Sequence, residues 1–312
     1  MRTGGGAPYA GVAMADLLHP RIDGPRRLRE LLSGAEPVLA PGAYDAMSAR
    51  LVQAAGFPAV YMTGFGASAS LLGRPDVGLL TMSEMVDAAR RMTSLVTVPL
   101  IADADTGYGS PINVMRTVRE YESAGVAAIH IEDQASPKRC GHLDGKHLVP
   151  AEDMAQKVRA AVQARSDPDL VLIARTDARA VEGVDAAVER ARRYRDAGAD
   201  MLFVEALQSV DEIVHVAGAL RGIPLLFNWA EGGKTPPMEI ARLHELGFRV
   251  VIFPISTLLS ATTAVRETLA EIAASGTPQR ALPRMPAFAE FLDLVGLPEI
   301  QDLGRRFDPT PP

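Results

Sequence analysis

Apolar and polar positions alternate along this chain in a unit that recurs. "AAGFPAVYMTG" begins at Ala54, "SAGVAAIHIED" at Ser123, "DAGADMLFVEA" at Asp196 and "ELGFRVVIFPIS" at Glu245. Each reads as the end of a helix, a glycine, and a short apolar strand. A glycine after a helix supplies the left-handed turn that ends it. The strands predicted from these phrases are Ala59–Met62, Ala127–Ile131, Met201–Val204 and Val250–Phe253. They are almost wholly apolar, as expected of a parallel sheet covered on both faces.

Four further apolar runs lie between them: "PVLAPGAY" from Pro37, "VPLIADAD" from Val98, "LVLIARTD" from Leu170 and "IPLLFNWAEGG" from Ile223. A helical pattern follows each of the eight, starting near Asp45, Ser83, Pro111, Ala151, Asp185, Ser209, Pro236 and Thr257. Asp, Ser and Pro suit helix N-termini. Eight β-α units predict a TIM (β/α)8 barrel. The competing fold, an open doubly wound sheet, calls for a glycine-rich phosphate loop after the first strand, and "PGAYDAMSA" is a poor match. Further helices are expected near Arg26 and after Pro286. "SASLLGRPD", rich in small residues, reads as a loop after the second strand. The expected organisation is a flexible arm over residues 1–24, a barrel over 25–275, and a helical extension with a proline-rich tail over 276–312.

Composition narrows the function. The 312 residues are 47% apolar and 22% charged, and the formal net charge is −6. That balance argues against a general partner for nucleic acid or an anionic membrane. No apolar run approaches the ~18 residues of a membrane span, and "GVAMADLL" lacks the basic flank and cleavage site of a signal peptide. One cysteine excludes an internal disulfide framework and fits a reducing, cytoplasmic compartment.

The chemistry gathers where the strands end, the rim at which TIM barrels place their active sites. Strand 2 ends at Thr63 and Gly64, strand 3 at Asp103 and Asp105, strand 4 at Glu132 and Asp133. Strand 5 ends at Arg175 and Asp177, strand 6 at Glu205 and strand 7 at Asn228. One such carboxylate reads as a salt bridge or helix cap; so many at one rim read as a shared polar site. Asp103 and Asp105, two apart, would share a strand face. With Glu132 they form a cluster of hard oxygens suited to Mg²⁺, with Mn²⁺ possible, rather than zinc. The bland alternative pairs them with Arg175 and Lys138. Asp76 reads first as a turn former. In "WAEGGKTP" the glycines before Lys234 make a flexible turn, not a P-loop. The lone Cys140 sits in "KRCGH", a polar loop, although a single cysteine is more often a small buried apolar residue.

"DADTGYG", "IEDQASPKRCGH" and "ARTDA", in this order, resemble the isocitrate lyase/phosphoenolpyruvate mutase superfamily over roughly residues 37–275. "PGAYDAMSA", "TGFGASASLLGRPDVGLLT", "KRCGHLDGKHLVPAED" and "EGGKTP" most resemble two groups in it. One is the dimethylmalate lyase and petal-death-protein group, the other the carboxyvinyl-carboxyphosphonate phosphorylmutases. Methylisocitrate lyase is similar too, with a different sequence at "EGGKTP". The resemblance implies that Asp103 holds Mg²⁺, with Asp76, Asp105 and Glu132 assisting through water. It implies that Thr63, Gly64 and Phe65 hold the 2-oxo-acid end of the substrate, and that Arg175, Glu205 and Asn228 line the site. Thr63 keeps the hydroxyl of the serine found in many of these lyases; Phe65 replaces a small residue and narrows the pocket. The "KRCGH" loop would close as a lid with Cys140 as proton donor and Gly141 close over the substrate. Phosphoenolpyruvate mutase has a different loop there. The resemblance further implies a modified barrel whose last helix swaps between subunits, in a homo-oligomeric dimer of dimers.

The chemistry expected is cleavage of the C2–C3 bond of a 2-hydroxy di- or tricarboxylate, giving a 2-oxo acid such as pyruvate and a carboxylate. A thiol suits the final protonation, because its usual pKa of about 8.5 leaves it protonated at neutral pH. Lys138, Arg139 and His142 would stabilise the thiolate left behind. Tyr44 and Tyr61 are candidate bases for the hydroxyl proton. Two rival readings stand beside the lyase: a carboxyphosphonate phosphorylmutase, and a barrel that binds a small acid without turning it over.

Overall fold

The computed structural model describes residues 17–18 and 22–308. Strands β1 (Val38–Ala43), β2 (Val60–Met62), β3 (Leu100–Asp103), β4 (Ala128–Glu132), β5 (Val171–Thr176), β6 (Met201–Val204), β7 (Leu225–Asn228) and β8 (Phe248–Phe253) close into one parallel barrel. The closure is made by β1 and β8, with Val38 opposite Val250 and Ala40 opposite Ile252. Helix α1 (Gly24–Ser33) precedes the barrel and puts Leu28 into its interior cluster. The chain is a TIM barrel, as the repeat predicts.

The four recurring glycines Gly56, Gly125, Gly198 and Gly247 all have positive φ, between +85° and +109°. Each ends a helix and turns the chain into the next strand, which explains the repeat. Helix starts follow local chemistry. Asp45 caps α2 (Ala46–Ala54), Thr81 and Glu84 form a capping box on α4 (Met82–Thr93), and Ser209 caps α8 (Val210–Ala219). Helices α5 (Pro111–Ala124), α6 (Ala151–Ala164), α7 (Val184–Asp196) and α10 (Ser256–Ser275) begin within a residue of the predicted positions. Helix α9 (Ile240–Glu245) is shorter than expected and starts beyond Pro236.

One expectation fails. "GFGASASLL" is not a loop but helix α3 (Gly64–Leu72), ended by the left-handed Gly73, and only the segment between it and α4 is irregular. Its two glycines and two serines make a weak helix alone. Here they let α3 pack closely: Ala67 is fully buried, and a Cβ on Gly66 would run into Thr63 and Tyr44. Packing outweighs propensity.

Strand parity sorts the rest. In β5, Val171 and Ile173 face the barrel interior, whereas Leu172 and Ala174 join the layer between strands and helices. The same alternation holds on β2 to β4 and on β6 and β7. Continuing the interior set upward gives Thr63, Asp103, Glu132, Arg175, Glu205 and Asn228. Asp133 has the opposite parity. It lies among the helices, taking hydrogen bonds from Tyr194 and Thr176, each 2.7 Å.

Helices α11 (Phe288–Leu294) and α12 (Leu297–Phe307) follow the barrel, and neither they nor α10 bury a residue fully. The expected flexible arm falls almost wholly outside the described residues, as does the end of the proline-rich tail. No helix among the described residues is long and apolar enough to cross a membrane.

Candidate active site

Above the last interior layer lies a cavity of about 200 Å³ bordered by Thr63, Asp103, Arg175, Glu205 and Asn228 from the strand ends. The loop after β4 roofs it, bringing Lys138, Cys140, Gly141 and His142, while the first turn of α3 adds Phe65 and the segment beyond that helix adds Asp76. The predicted residues therefore converge. Gly64 touches Asp103 so closely that a Cβ would collide with that carboxylate. The first-turn N–H groups of α3, Gly64 and Phe65, have no intrahelical acceptor and suit an anionic group. The Thr63 hydroxyl is used as the cap, accepting from Gly66 N–H at 3.2 Å.

The carboxylates do not share a face as a strand pair. β3 ends at Asp103, and Asp105 turns back with φ +46°, its N–H donating to Asp103 Oδ1 at 2.9 Å. Lys138 Nζ lies 2.6 Å from both Asp76 and Asp105, so Asp76 is a buried ion-pair partner rather than only a turn former. Arg175 stacks over Phe203 at 5.1 Å. Asp177 grips it through Nε (2.9 Å) and Nη2 (3.1 Å), and Glu132 and Glu205 each lie 3.3 Å away. The pairing of carboxylates with Lys138 and Arg175 is thus real.

Burial dominates the electrostatics. It pushes Asp105 up to about 7, helped by Asp103 and Asp76 and opposed by Lys138. It raises Glu132 well above the usual range despite Arg175. Asp103 is also penalised by burial, but neighbouring positive charge outweighs this and lowers it. His130, beneath it, is pushed by burial to about 4 and is neutral at physiological pH. The cations that matter to Asp103 are therefore Lys138 and Arg175.

Both Glu132 oxygens are buried without a hydrogen-bond partner, although Oε2 lies 3.3 Å from Arg175 Nε. Such unpartnered hard oxygens fit Mg²⁺ held by one or two carboxylates and water. Among the described residues no three His, Cys, Asp or Glu side chains stand close enough to hold a metal directly. Lys138 fills the gap between Asp76 and Asp105, so water-mediated contacts are what these residues offer.

Cys140 is partly buried. Its thiol is raised above its usual value, by burial first and then by Asp76 and Glu205; the His142 backbone N–H and Arg175 oppose this. The expected ring of cations is not there. Arg139 is exposed and donates to the Asp144 carbonyl at 3.2 Å, and Lys138 is committed to carboxylates. His142 reaches across the site: Lys234 N–H donates to its Nδ1 at 3.0 Å. That leaves the proton of a neutral ring on Nε2, 3.4 Å from Glu205 Oε1. Asn228 Nδ2 donates to both Glu205 oxygens at 3.3 and 3.2 Å, and its Oδ1 is left without a partner. Of the two tyrosines, Tyr44 lies off the cavity. Tyr61 borders it and bonds His130 Nε2 at 2.9 Å, but burial holds its phenol protonated.

The phosphoenolpyruvate phosphomutase family model matches residues 28–273. The chain belongs to that family. It is 46% identical over 281 residues to 2,3-dimethylmalate lyase of Eubacterium barkeri, covering 90% of this chain and 97% of the relative. It is 47% identical over 269 residues to 2-methylisocitrate lyase of Aeropyrum pernix, covering 86% of each. A crystal structure of 2,3-dimethylmalate lyase superposes with a TM-score of 0.87 at 41% identity, covering 94% of this chain and all of the other. That relative is itself a member of the phosphoenolpyruvate mutase/isocitrate lyase superfamily. The chain is accordingly a lyase of this superfamily. A related phosphonopyruvate hydrolase, 32% identical with a TM-score of 0.84, has been solved with oxalate and Mg²⁺.

Further residues reach this site with little or no signal in the sequence. His130 carried a signal, a lone histidine inside an apolar strand. Asp177 was visible only as a strand-end charge. Gln134, which bonds the Arg139 backbone at both its N–H (3.0 Å) and carbonyl (2.8 Å), Lys146, and Glu231 on the cavity wall gave no pattern to read.

Proposed function

We propose that this lyase cleaves the C2–C3 bond of a substituted malate of the 2,3-dimethylmalate type, releasing pyruvate or a close 2-oxo acid and a carboxylate. The observation carrying this reading is that a protonated lid thiol, Cys140, borders the same small cavity as Arg175 and Asp103. The backbone amides of Gly64 and Phe65 receive the carboxylate of the 2-oxo-acid end. Asp103 would hold Mg²⁺, with Asp76, Asp105 and Glu132 acting through water; Mn²⁺ has the same ligand chemistry. When bound, the metal would polarise the substrate hydroxyl and stabilise the alkoxide.

The hydroxyl proton leaves to a base, and the electrons of the broken C2–C3 bond pass to the departing carboxylate as its aci form. Arg175, His142 and Asn228 face that growing charge. The Cys140 Sγ–H then gives its proton to C3. The thiolate accepts a hydrogen bond from the His142 N–H and is reprotonated before the next cycle. Glu205 orients Arg175, His142 and Asn228 rather than reacting.

The wall favours a dicarboxylate with an alkyl substituent over a tricarboxylate. Phe65, Leu143, Pro254 and Ile255 make it apolar, and Glu231 adds a negative charge. The Lys234 ammonium is drawn away to Asp144 at 2.5 Å. The cavity, about 200 Å³, lies below the ~300 Å³ at which ordinary ligand pockets begin. The reading also takes the chain as a cytoplasmic enzyme with residues 25–275 as the barrel and 276–312 as an extension. It takes a helix-swapped homo-oligomer as the assembly. The apolar side chains that α10 and α11 leave exposed, among them Leu259, Val265, Leu269, Phe288 and Phe291, support that assembly.

The test is pyruvate release from 2,3-dimethylmalate, other substituted malates and 2-methylisocitrate, with Mg²⁺ and with a chelator. Metal-dependent release, fastest from an alkyl malate, is expected. Silence across the panel from folded protein overturns the lyase substrate reading and turns attention to phosphonate substrates. Faster release from methylisocitrate overturns the dicarboxylate preference alone.

A further inference from the structure

Lys146 is a buried cation that the reaction just described does not use. Its side chain is 1% exposed. It lies four residues beyond His142, where the lid loop returns toward α6. Its ammonium meets two partners. One is Asp177 Oδ1 at 2.9 Å; the other is the backbone carbonyl of Gly141. A lysine is rarely buried this deeply unless its charge is matched.

Asp177 is the other half of the device. Its Oδ1 takes Lys146 and Arg175 Nη2, its Oδ2 takes Arg175 Nε, and its own N–H donates to Asp133 Oδ1 at 2.9 Å. One rigid carboxylate at the top of β5 therefore holds both the substrate-facing arginine and the cation that grips the lid. The grip falls on the peptide next to the thiol. The Cys140 N–H donates to the Asp76 carbonyl at 3.2 Å, and the Leu143 N–H donates to the Cys140 carbonyl at 2.9 Å, so residues 140–143 form a turn. Lys146 fixes that turn from the barrel side.

We infer that Lys146 and Asp177 are a positioning pair that locks the lid down at Gly141 and so sets Cys140 against the substrate, in register with Arg175. Neither touches the reacting atoms. The pair makes the closed lid and the oriented arginine one event, because both depend on the same carboxylate.

The experiment compares the wild-type chain with Lys146→Met and Lys146→Gln. It measures alkylation of Cys140, the only cysteine, by iodoacetamide at pH 8.5, together with kcat and KM for pyruvate release. Urea titration confirms that each variant is folded. Removing a nearby cation acts electrostatically to raise a thiol pKa and slow alkylation. Releasing the lid does the opposite. The expected result for Lys146→Met is alkylation at least tenfold faster and kcat at least tenfold lower, with KM changed less than threefold. Lys146→Gln, whose amide still donates to the Gly141 carbonyl, should fall between. Alkylation that is unchanged or slower in folded Lys146→Met overturns the inference. Should that variant not fold, Lys146→Gln decides it by the same readout. The kcat arm rests on the lyase reading above; the alkylation arm does not, so the two fail separately.

Discussion

Gly141→Ala adds one carbon where the lid meets the barrel. Gly141 does not need glycine's backbone freedom, since its φ lies outside the left-handed range. The effect is therefore steric. The new Cβ would stand 2.5 Å from Arg175 Nη2 and Glu205 Cγ and 2.7 Å from Glu205 Cδ, whereas ordinary contact begins at 3.4 Å. The shortfall is about 0.9 Å. Arg175 does not yield readily, because Asp177 holds two of its nitrogens and Phe203 lies beneath it. Glu205 is fixed by Asn228 and by the Ala206 N–H at 2.7 Å. The lid must lift instead, carrying Cys140 with it. A misplacement near 1 Å costs on the order of 10²-fold in rate, equivalent to about 2.7 kcal/mol. Overpacking itself costs ~1–3 kcal/mol, less where a loop relaxes. The assay is steady-state pyruvate release with a thermal melt. The control is Gly218→Ala, a helical site in α8 with nothing within 4 Å of the added carbon. We expect kcat to fall about 10²-fold for Gly141→Ala and to stay level for the control. A kcat within about threefold of wild type would refute the argument that close lid contact positions the thiol.

Replacing Cys140 with Ala should lower turnover by ~10²–10⁴-fold while substrate still binds; undiminished turnover removes the thiol from the reaction. A donor works while protonated, so its contribution holds below its pKa and is lost as pH rises through it. Burial raises the Cys140 thiol, and the alkaline limb of kcat against pH should therefore lie above the usual thiol range; a limb below that range would count against this environment. Asp103→Asn should abolish the response of activity to added Mg²⁺, and retention of a wild-type metal titration would sink the assignment. Tyr194→Phe removes a 2.7 Å hydrogen bond to buried Asp133. Urea unfolding should show a loss of ~1–3 kcal/mol, and an unchanged midpoint would mean that Thr176, Arg190 and Asp177 suffice.

The barrel and its rim are legible in the local pattern of the chain. Interior and exterior residues alternate along a strand, so an apolar strand with a polar end states which side chain crowns the barrel. That is why Asp103, Glu132, Arg175, Glu205 and Asn228 were legible together. The recurring glycines mark the strand starts for a similarly local reason, since easy access to positive φ belongs to the residue. Everything that depends on a neighbour distant in sequence is set by the packing of the whole barrel. Helix α3 exists because small side chains pack closely, against their propensity. Arg139 points to solvent and Lys146 inward, though both are cations of one loop. Asp133 joins the helix layer while its neighbour Glu132 joins the site. Glu231 and Lys234 reach the site or leave it according to where loops from β7 and β4 meet. Local chemistry can be read along the chain, but the direction of a charge in a loop is set by which partner is there to repay its desolvation, and only the fold supplies the partner.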